Sequence, residues 1–311
     1  MRILVVGAGA TGGYFGGRLA QAGRDVTFLV RAKRAEELQR SGLVIRSPRG
    51  DVTLRDAKTV LADQISEPYD LVLLSCKAYS LDDAIESFAP AVGEATMILP
   101  VLNGMHHIDV LKEKFGASKV LGGQCVIAAT LNREREIVHL NDMHSIGFGE
   151  LGGGISERVR AIASTFEGAG FDSAAADNIL QQMWEKWVFL ATLAATTCLH
   201  RAAIGDILKT PDGRRVIEGM LGECKAVAAS NGYPLGDASN ARAQTILFAE
   251  GSPLTASMLR DIEGQSRIEA DHIVGDLIAR GGDAQQRALS LLRVAYSHLK
   301  AYEARQARQS A

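Results

Sequence analysis

The sequence predicts an α/β chain in which a Rossmann-type, doubly wound parallel sheet over residues 1–177 is followed by an all-helical domain over residues 178–311. Three observations lead there. Arg2-Ile-Leu-Val-Val-Gly7 is a short, continuous apolar run, as a strand buried on both faces of a parallel sheet requires. A glycine cluster, a helical segment closed by Gly23 and a second apolar run from Asp25 to Val30 complete a βαβ unit. Beyond residue 177 strand patterns stop and helical periodicity takes over.

The remaining elements follow from the same signals. Leu43–Arg46, Val52–Leu54, Leu71–Cys76 and Thr96–Val101 read as strands, with helical segments near 31–40, 79–88 and 105–114 between several of them. From about 119 to 149 the runs Val120–Ala128, Ile137–Leu140 and Ser145–Phe148 have no long helix among them, which predicts an edge hairpin or meander on the same sheet. Ser156 is placed to cap a helix running to Gly168, and Phe171–Ala175 reads as a last strand. Helices are then expected over 178–200, 211–231, 237–249, 257–280 and 283–306, punctuated by glycine and proline.

Composition narrows the function classes. With 311 residues, 47% of them hydrophobic, and a net charge of −2, the chain is neither disordered nor a general binder of nucleic acid or anionic membranes. The longest apolar stretch, Val188–Leu199, is shorter than the roughly 20 residues that span a bilayer. The apolar run after Met1-Arg2 is too short for a signal peptide and breaks at Gly7, so a cytoplasmic protein is expected. Cys76, Cys125, Cys198 and Cys224 form no Cys-x-x-Cys pair and read as reduced, buried thiols. The seven histidines stand at no metal-ligand spacing, and no metal is expected. Arg133-Glu-Arg135 reads as a solvated turn. A homodimer is compatible with the sequence, although no motif specifies one.

The 32 glycines are an excess, and their densest cluster has a chemical reading. Gly7-Ala8-Gly9-Ala10-Thr11-Gly12 matches G-x-G-x-x-G between a strand and a helix, where the motif binds a dinucleotide. Gly7 permits the tight turn, Gly9 lets the backbone approach a pyrophosphate at the helix N-terminus, and Gly12 lets the helix pack closely on the sheet. An NAD site would carry an acid at the end of the second strand, to accept from the ribose 2′-hydroxyl. That position is Arg31, with Lys33 and Arg34 behind it, which suits a 2′-phosphate. Asp25 stands at the wrong end of the strand to compete. The expected cofactor is NADP(H).

Further segments follow in order: Leu73-Leu-Ser-Cys-Lys77-Ala78, Pro100-Val-Leu-Asn103-Gly104-Met105, Trp184-Glu185-Lys186-Trp187, and Ser257-Met-Leu-Arg-Asp261 with Glu269 and Asp271. Together with the glycine motif, and over essentially the full length, they resemble the ketopantoate reductase (2-dehydropantoate 2-reductase) family, NADPH-dependent enzymes with this order of domains. The resemblance implies reduction of a 2-oxo acid by hydride transfer, with Lys186 as the catalytic proton donor. It also implies that Glu269 acts catalytically by orienting substrate or cofactor, and that Ser257 binds the substrate carboxylate. Lys77 and Asn103 would contact the nicotinamide-ribose end of the cofactor, Asn103 would touch substrate as well, and Ala128 would line the cofactor. From the residues themselves, Ser257 reads as the N-cap of the 257–280 helix, where free backbone N–H groups favour an anion.

Departures from the family pattern bear on substrate. The family carries asparagines four and eight residues after the lysine, and another before a later glycine; the aligned positions here are Leu190, Ala194 and Ile204. Spacings of four and eight keep side chains on the lysine's face, so Leu190 and Ala194 put apolar groups into the expected substrate site. Loss of amides that discriminate a hydroxylated substrate predicts a paralogue acting on a more hydrophobic 2-oxo acid. Gln265-Ser266 replaces the family's Gly-Arg. Two alternatives stand beside this reading: a β-hydroxyacid dehydrogenase, disfavoured because the acidic strand end and a Gly-x-Met-Gly start are missing, and a non-catalytic NADP(H)-binding sensor.

Overall fold

A computed structural model describes residues 1–282 and 289–310. The chain forms two compact units, one of Met1–Leu102 and His107–Leu180, the other of Asn103–His106 with the chain from Gln181 onward.

The first unit runs β1 (Arg2–Val6), α1 (Ala10–Gln21), β2 (Asp25–Leu29), α2 (Ala32–Ser41), β3 (Leu43–Arg46), β4 (Val52–Leu54), β5 (Thr59–Val60), β6 (Leu71–Leu74), α3 (Leu81–Phe88), β7 (Met97–Pro100), α4 (His106–Phe115), β8 (Leu121–Leu131), β9 (Ile137–Glu150), α5 (Glu157–Phe166) and β10 (Asp172–Ala175). Strands β5-β2-β1-β6-β7 form a parallel sheet. Ile3, Leu4 and Val5 of β1 and all four residues of β6 are fully buried, as continuous apolar runs in a two-sided sheet must be.

The expected hairpin is not an extension of that sheet. Strands β8 and β9 pair antiparallel and belong to a second sheet of order β10-β9-β3-β4, with β8 on β9. The reason lies in α1, whose Tyr14, Phe15 and Leu19 are fully buried, so the helix needs cover on more than one side. Its glycines divide between two partners. A β-carbon on Gly16 would come within 2.7 Å of Phe28 and 2.9 Å of Val5, both of the parallel sheet. One on Gly13 would meet Ile137 of β9 at 2.5 Å, and one on Gly17 would meet Leu43 and Ile45 of β3 at 2.8 Å. The helix is therefore clamped between two sheets. Strand β9 is one 14-residue strand, and the polar break read at 141–144 is taken up as a register shift opposite Ile127–Ala129.

Two buried histidines also follow from this layering. His144 and His139 stack at 5.5 Å, and a 2.7 Å hydrogen bond joins His144 Nδ1 to Tyr14 Oη on α1. His139 bonds to Ser47 Oγ at 2.9 Å and to the Met143 carbonyl at 3.0 Å. Of the four cysteines, none in a disulfide, Cys198 and Cys224 are buried as expected, but Cys76 and Cys125 are only half-buried. Burial pushes the Cys198 and Cys224 thiols up to about 12.

The second unit contains α6 (Ile179–His200, which begins in the first unit), α7 (Ile204–Leu208), α8 (Gly213–Ser230), α9 (Asp237–Leu247), α10 (Ser257–Glu263), α11 (Asp276–Arg280) and α12 (Leu291–Ser310). Helix α7 has no counterpart in the sequence reading, being too short to show a period. Residues 283–288 of the expected 283–306 helix lie outside the described residues. The single helix expected over 257–280 is instead two helices joined by 264–270 and a π-helical turn, Asp271–Gly275. A Schellman motif ends α10: Ser266 N–H donates to Asp261 O at 2.8 Å and Gln265 N–H to Ile262 O at 3.1 Å. Gln265 takes the left-handed position, φ 53°, where the resemblance noted above places glycine.

Two predictions follow. Gln265→Gly relieves left-handed backbone strain and stabilises the chain by about 1 kcal/mol, read by denaturant unfolding. Burial, followed by the nearby His139 and Arg49, holds His144 below the usual histidine pKa, with Asp172 opposing and Arg18 adding to the effect. The unfolded chain thus takes up this proton first, so its contribution is full above about pH 6.5 and is lost as pH falls toward the folded value. Unfolding between pH 7 and pH 5 should show this loss, and His144→Gln should flatten the profile.

Candidate active site

The glycine turn sits between β1 and α1 as its spacing demands. Gly7 has φ 92° and donates its N–H to Leu29 O at 2.9 Å, joining the turn to β2. Gly12 packs against the turn itself: a β-carbon there would lie 2.1 Å from Ser75 Oγ and 2.6 Å from Gly7 O. Gly9 is different. It is the N-cap of α1 and makes no side-chain cap, and a β-carbon on it would meet nothing within 4 Å. Open space at Gly9, before a helix start at Ala10, Thr11 and Gly12 that no side chain caps, fits a pyrophosphate group.

The basic residues beyond β2 divide into two kinds. Arg31 is the N-cap of α2, with its side chain 85% exposed and 3.4 Å from Asp83. Lys33 is exposed. Arg34 is not part of the open cationic group: its guanidinium donates to the Ala8 carbonyl at 3.3 Å and 3.2 Å and pairs with Glu37 at 3.0 Å. Asp25 lies at the far end of β2, held by Lys58 at 2.8 Å. Lys77 is exposed just after β6, and half-buried Ala128 falls at the register shift of β8.

In the second unit, Lys186 and Asn103 come together. Lys186 Nζ donates to Asn103 Oδ1 at 3.0 Å, and both residues are half-buried. The residues around the lysine on α6 are each anchored elsewhere. Trp184 stacks on Tyr233 at 5.5 Å. Glu185 accepts from Gly236 N–H at 3.2 Å and Ser239 Oγ at 2.5 Å, so a carboxylate from α6 satisfies the start of α9. Trp187 is 1% exposed, and its indole N–H donates to the Ile273 carbonyl at 3.0 Å. None of these anchors was visible in the sequence, because each joins positions tens of residues apart.

The other expected residues are dispersed within this unit. Leu190 is half-buried, Ala194 is 1% exposed and Ile204 is fully buried. Ser257 is exposed but is the first residue of α10; Ala256 is the N-cap, and Ser257 makes no cap, because the turn enters the helix one residue earlier. Glu269 is half-buried two residues before the π-helical turn. Asp271 is exposed and accepts from Tyr296 Oη at 2.6 Å and Lys300 Nζ at 3.0 Å. Among the described residues no group of three or more His, Cys, Asp or Glu could hold a metal, and no helix is long and apolar enough to cross a membrane.

Comparison with known proteins gives these features a family. The family model "Ketopantoate reductase PanE/ApbA" matches residues 3–153, and its C-terminal model matches 178–303. An uncharacterized oxidoreductase of Bacillus subtilis, YkpB, is 37% identical over 98% of this chain and 99% of its own. The crystal structure of 2-dehydropantoate 2-reductase from Methylococcus capsulatus is 31% identical, with a TM-score of 0.85 and 98% of each chain covered. D-mandelate dehydrogenase, solved with NADH and anilino(oxo)acetate, has the same fold, with a TM-score of 0.87, 22% identity and 99% of each chain covered. With the dinucleotide turn on α1 and both halves matched, the chain belongs to the ketopantoate reductase family of pyridine-nucleotide-dependent oxidoreductases.

Proposed function

We propose that this chain reduces a 2-oxo acid more hydrophobic than ketopantoate to the 2-hydroxy acid, using NADPH, with Lys186 as the proton donor. The observation that carries the reading is the hydrogen bond from Lys186 Nζ to Asn103 Oδ1 at 3.0 Å, which aims an ammonium group along one direction. The residues of the glycine turn, Gly7 to Gly12, would hold the pyrophosphate, and Arg31 and Lys33 would meet a 2′-phosphate. Arg34 is engaged by the Ala8 carbonyl and Glu37 and is left out of that contact. Bound NADPH supplies the hydride. Lys77 and Ala128 serve the cofactor in the same reading, and Asn103 serves cofactor and substrate.

Hydride arrival at a ketone carbon develops negative charge on its oxygen, and a positioned acid relieves it. Lys186 holds the proton at Nζ and gives it to that oxygen. General acid catalysis of this kind contributes roughly 10²–10⁴-fold, about 3–5 kcal/mol of barrier. Ser257, exposed at the start of α10, binds the substrate carboxylate, and Glu269 orients substrate or cofactor. Leu190, one turn after Lys186 and still partly exposed, supports an apolar substituent on the substrate, with Ala194 a further turn along. Four cysteines with no disulfide among them support a reducing, cytoplasmic setting.

The test is oxidation of NADPH and NADH across ketopantoate and branched or aromatic 2-oxo acids. Expected are NADPH preference, higher kcat/KM for the apolar acids, and loss of turnover by at least about 100-fold in Lys186→Ala with NADPH binding retained. Leu190→Asn should shift the ratio toward ketopantoate. A clear preference of the unmodified enzyme for ketopantoate would sink the substrate assignment, and absence of turnover with every acid would favour a non-catalytic sensor.

A further inference from the structure

The π-helical turn Asp271–Gly275 sits against the residues that follow each partner of the Lys186–Asn103 pair, Gly104 and Trp187. Its backbone register changes by one residue: Ile273 N–H donates to Glu269 O in α-helical spacing, whereas Asp276 N–H donates to Asp271 O. Such insertions free or reorient carbonyls and recur at functional sites. Two successive carbonyls of this turn are used. The His272 carbonyl lies against Gly104, where a β-carbon would approach it to 2.8 Å, so the Asn103-Gly104 turn, φ 80° at Gly104, seats directly on it. The Ile273 carbonyl accepts the Trp187 indole N–H at 3.0 Å. One backbone segment thus carries the residue after Asn103 and the residue after Lys186.

We infer that Trp187 is a positioning residue: its indole N–H, by engaging the Ile273 carbonyl, fixes the turn of α6 that bears Lys186 in register with Asn103. Nothing in the chemistry of proton donation requires a tryptophan beside the lysine, and burial alone would be met by any large apolar ring. The N–H is what a phenyl ring lacks. Trp187 is 1% exposed, so losing the donor also leaves the Ile273 carbonyl without this partner in a dry environment. Small misplacements of a group that must meet a reacting atom cost rate far more than they cost binding, up to about 100-fold for roughly 1 Å. The role rests on Lys186 being the proton donor proposed above.

The experiment replaces Trp187 in the full-length enzyme with two analogues of the same shape. β-(3-Benzothienyl)alanine puts sulfur where the N–H stands, and 7-azatryptophan keeps the N–H. Trp187→Phe is made in parallel, with Lys186→Ala as the reference. Expected for benzothienylalanine is a fall in kcat of about tenfold or more, toward the limit set by misplacement. KM for the 2-oxo acid and the NADPH Kd should stay within about twofold, and 7-azatryptophan should restore kcat to near the unmodified value. A packing role would treat the two analogues alike. Equal kcat in both, with Lys186→Ala inactive, overturns the positioning role and leaves the proton donor standing. Full turnover in Lys186→Ala overturns both. Should Trp187→Phe fail to fold, the analogue pair alone decides.

Discussion

The close packing of α1 between two sheets is the constraint on which the nucleotide-binding unit depends. Gly12 and Gly16 lie one turn apart and face the glycine turn and the parallel sheet; Gly13 and Gly17 face β9 and β3. A methyl group at any of these four would force its neighbours to move. With both faces in contact, the helix has little freedom to slide or rotate, and its N-terminus stays at the turn after β1. The same clamp explains why Tyr14 is buried deeply enough to need the His144 partner. Dispersion contacts and the hydrophobic effect hold the clamp, since apolar side chains from both sheets fill the space that the glycines leave.

In the helical unit the corresponding role falls to four consecutive residues. Trp184, Glu185, Lys186 and Trp187 reach Tyr233, the start of α9, Asn103 and the π-helical turn in that order. Because successive helical side chains point about 100° apart, a tetrapeptide is long enough to address a full circle of neighbours. The lysine is therefore held by its flanks as well as by Asn103. Of the four, only Lys186 brings a charge that the local structure does not need for capping.

Much of this architecture was legible from local pattern. Strands β3 and β4 fall at the residues read for them, and Ser156 caps α5 by accepting from Val159 N–H. Such features depend on runs and caps within a few residues. The second sheet was not legible, since β9 and β3 are far apart in sequence and a hairpin's period does not say which sheet it joins. The break after α10 was missed for a related reason: Gln265 is an unremarkable helix former by propensity, and only the Schellman hydrogen bonds reveal its left-handed backbone. Within the site, the glycine turn could be read because each glycine answers a local steric demand. The inward turn of Arg34 could not, since an arginine in a basic run looks the same whether it faces solvent or the Ala8 carbonyl.

That last contact gives the nucleotide turn a polarity. A peptide loop that is to receive an anion carries a built-in liability, because every N–H it offers is accompanied by a carbonyl of opposite sign. Here the Ala8 carbonyl is bound by the Arg34 guanidinium, which pairs with Glu37, a carboxylate shared with Arg135. The oxygen is thus screened by a cation held in place by Glu37. What remains facing outward is the electropositive edge of the backbone, selected for anions by the orientation of its dipoles before any ligand arrives.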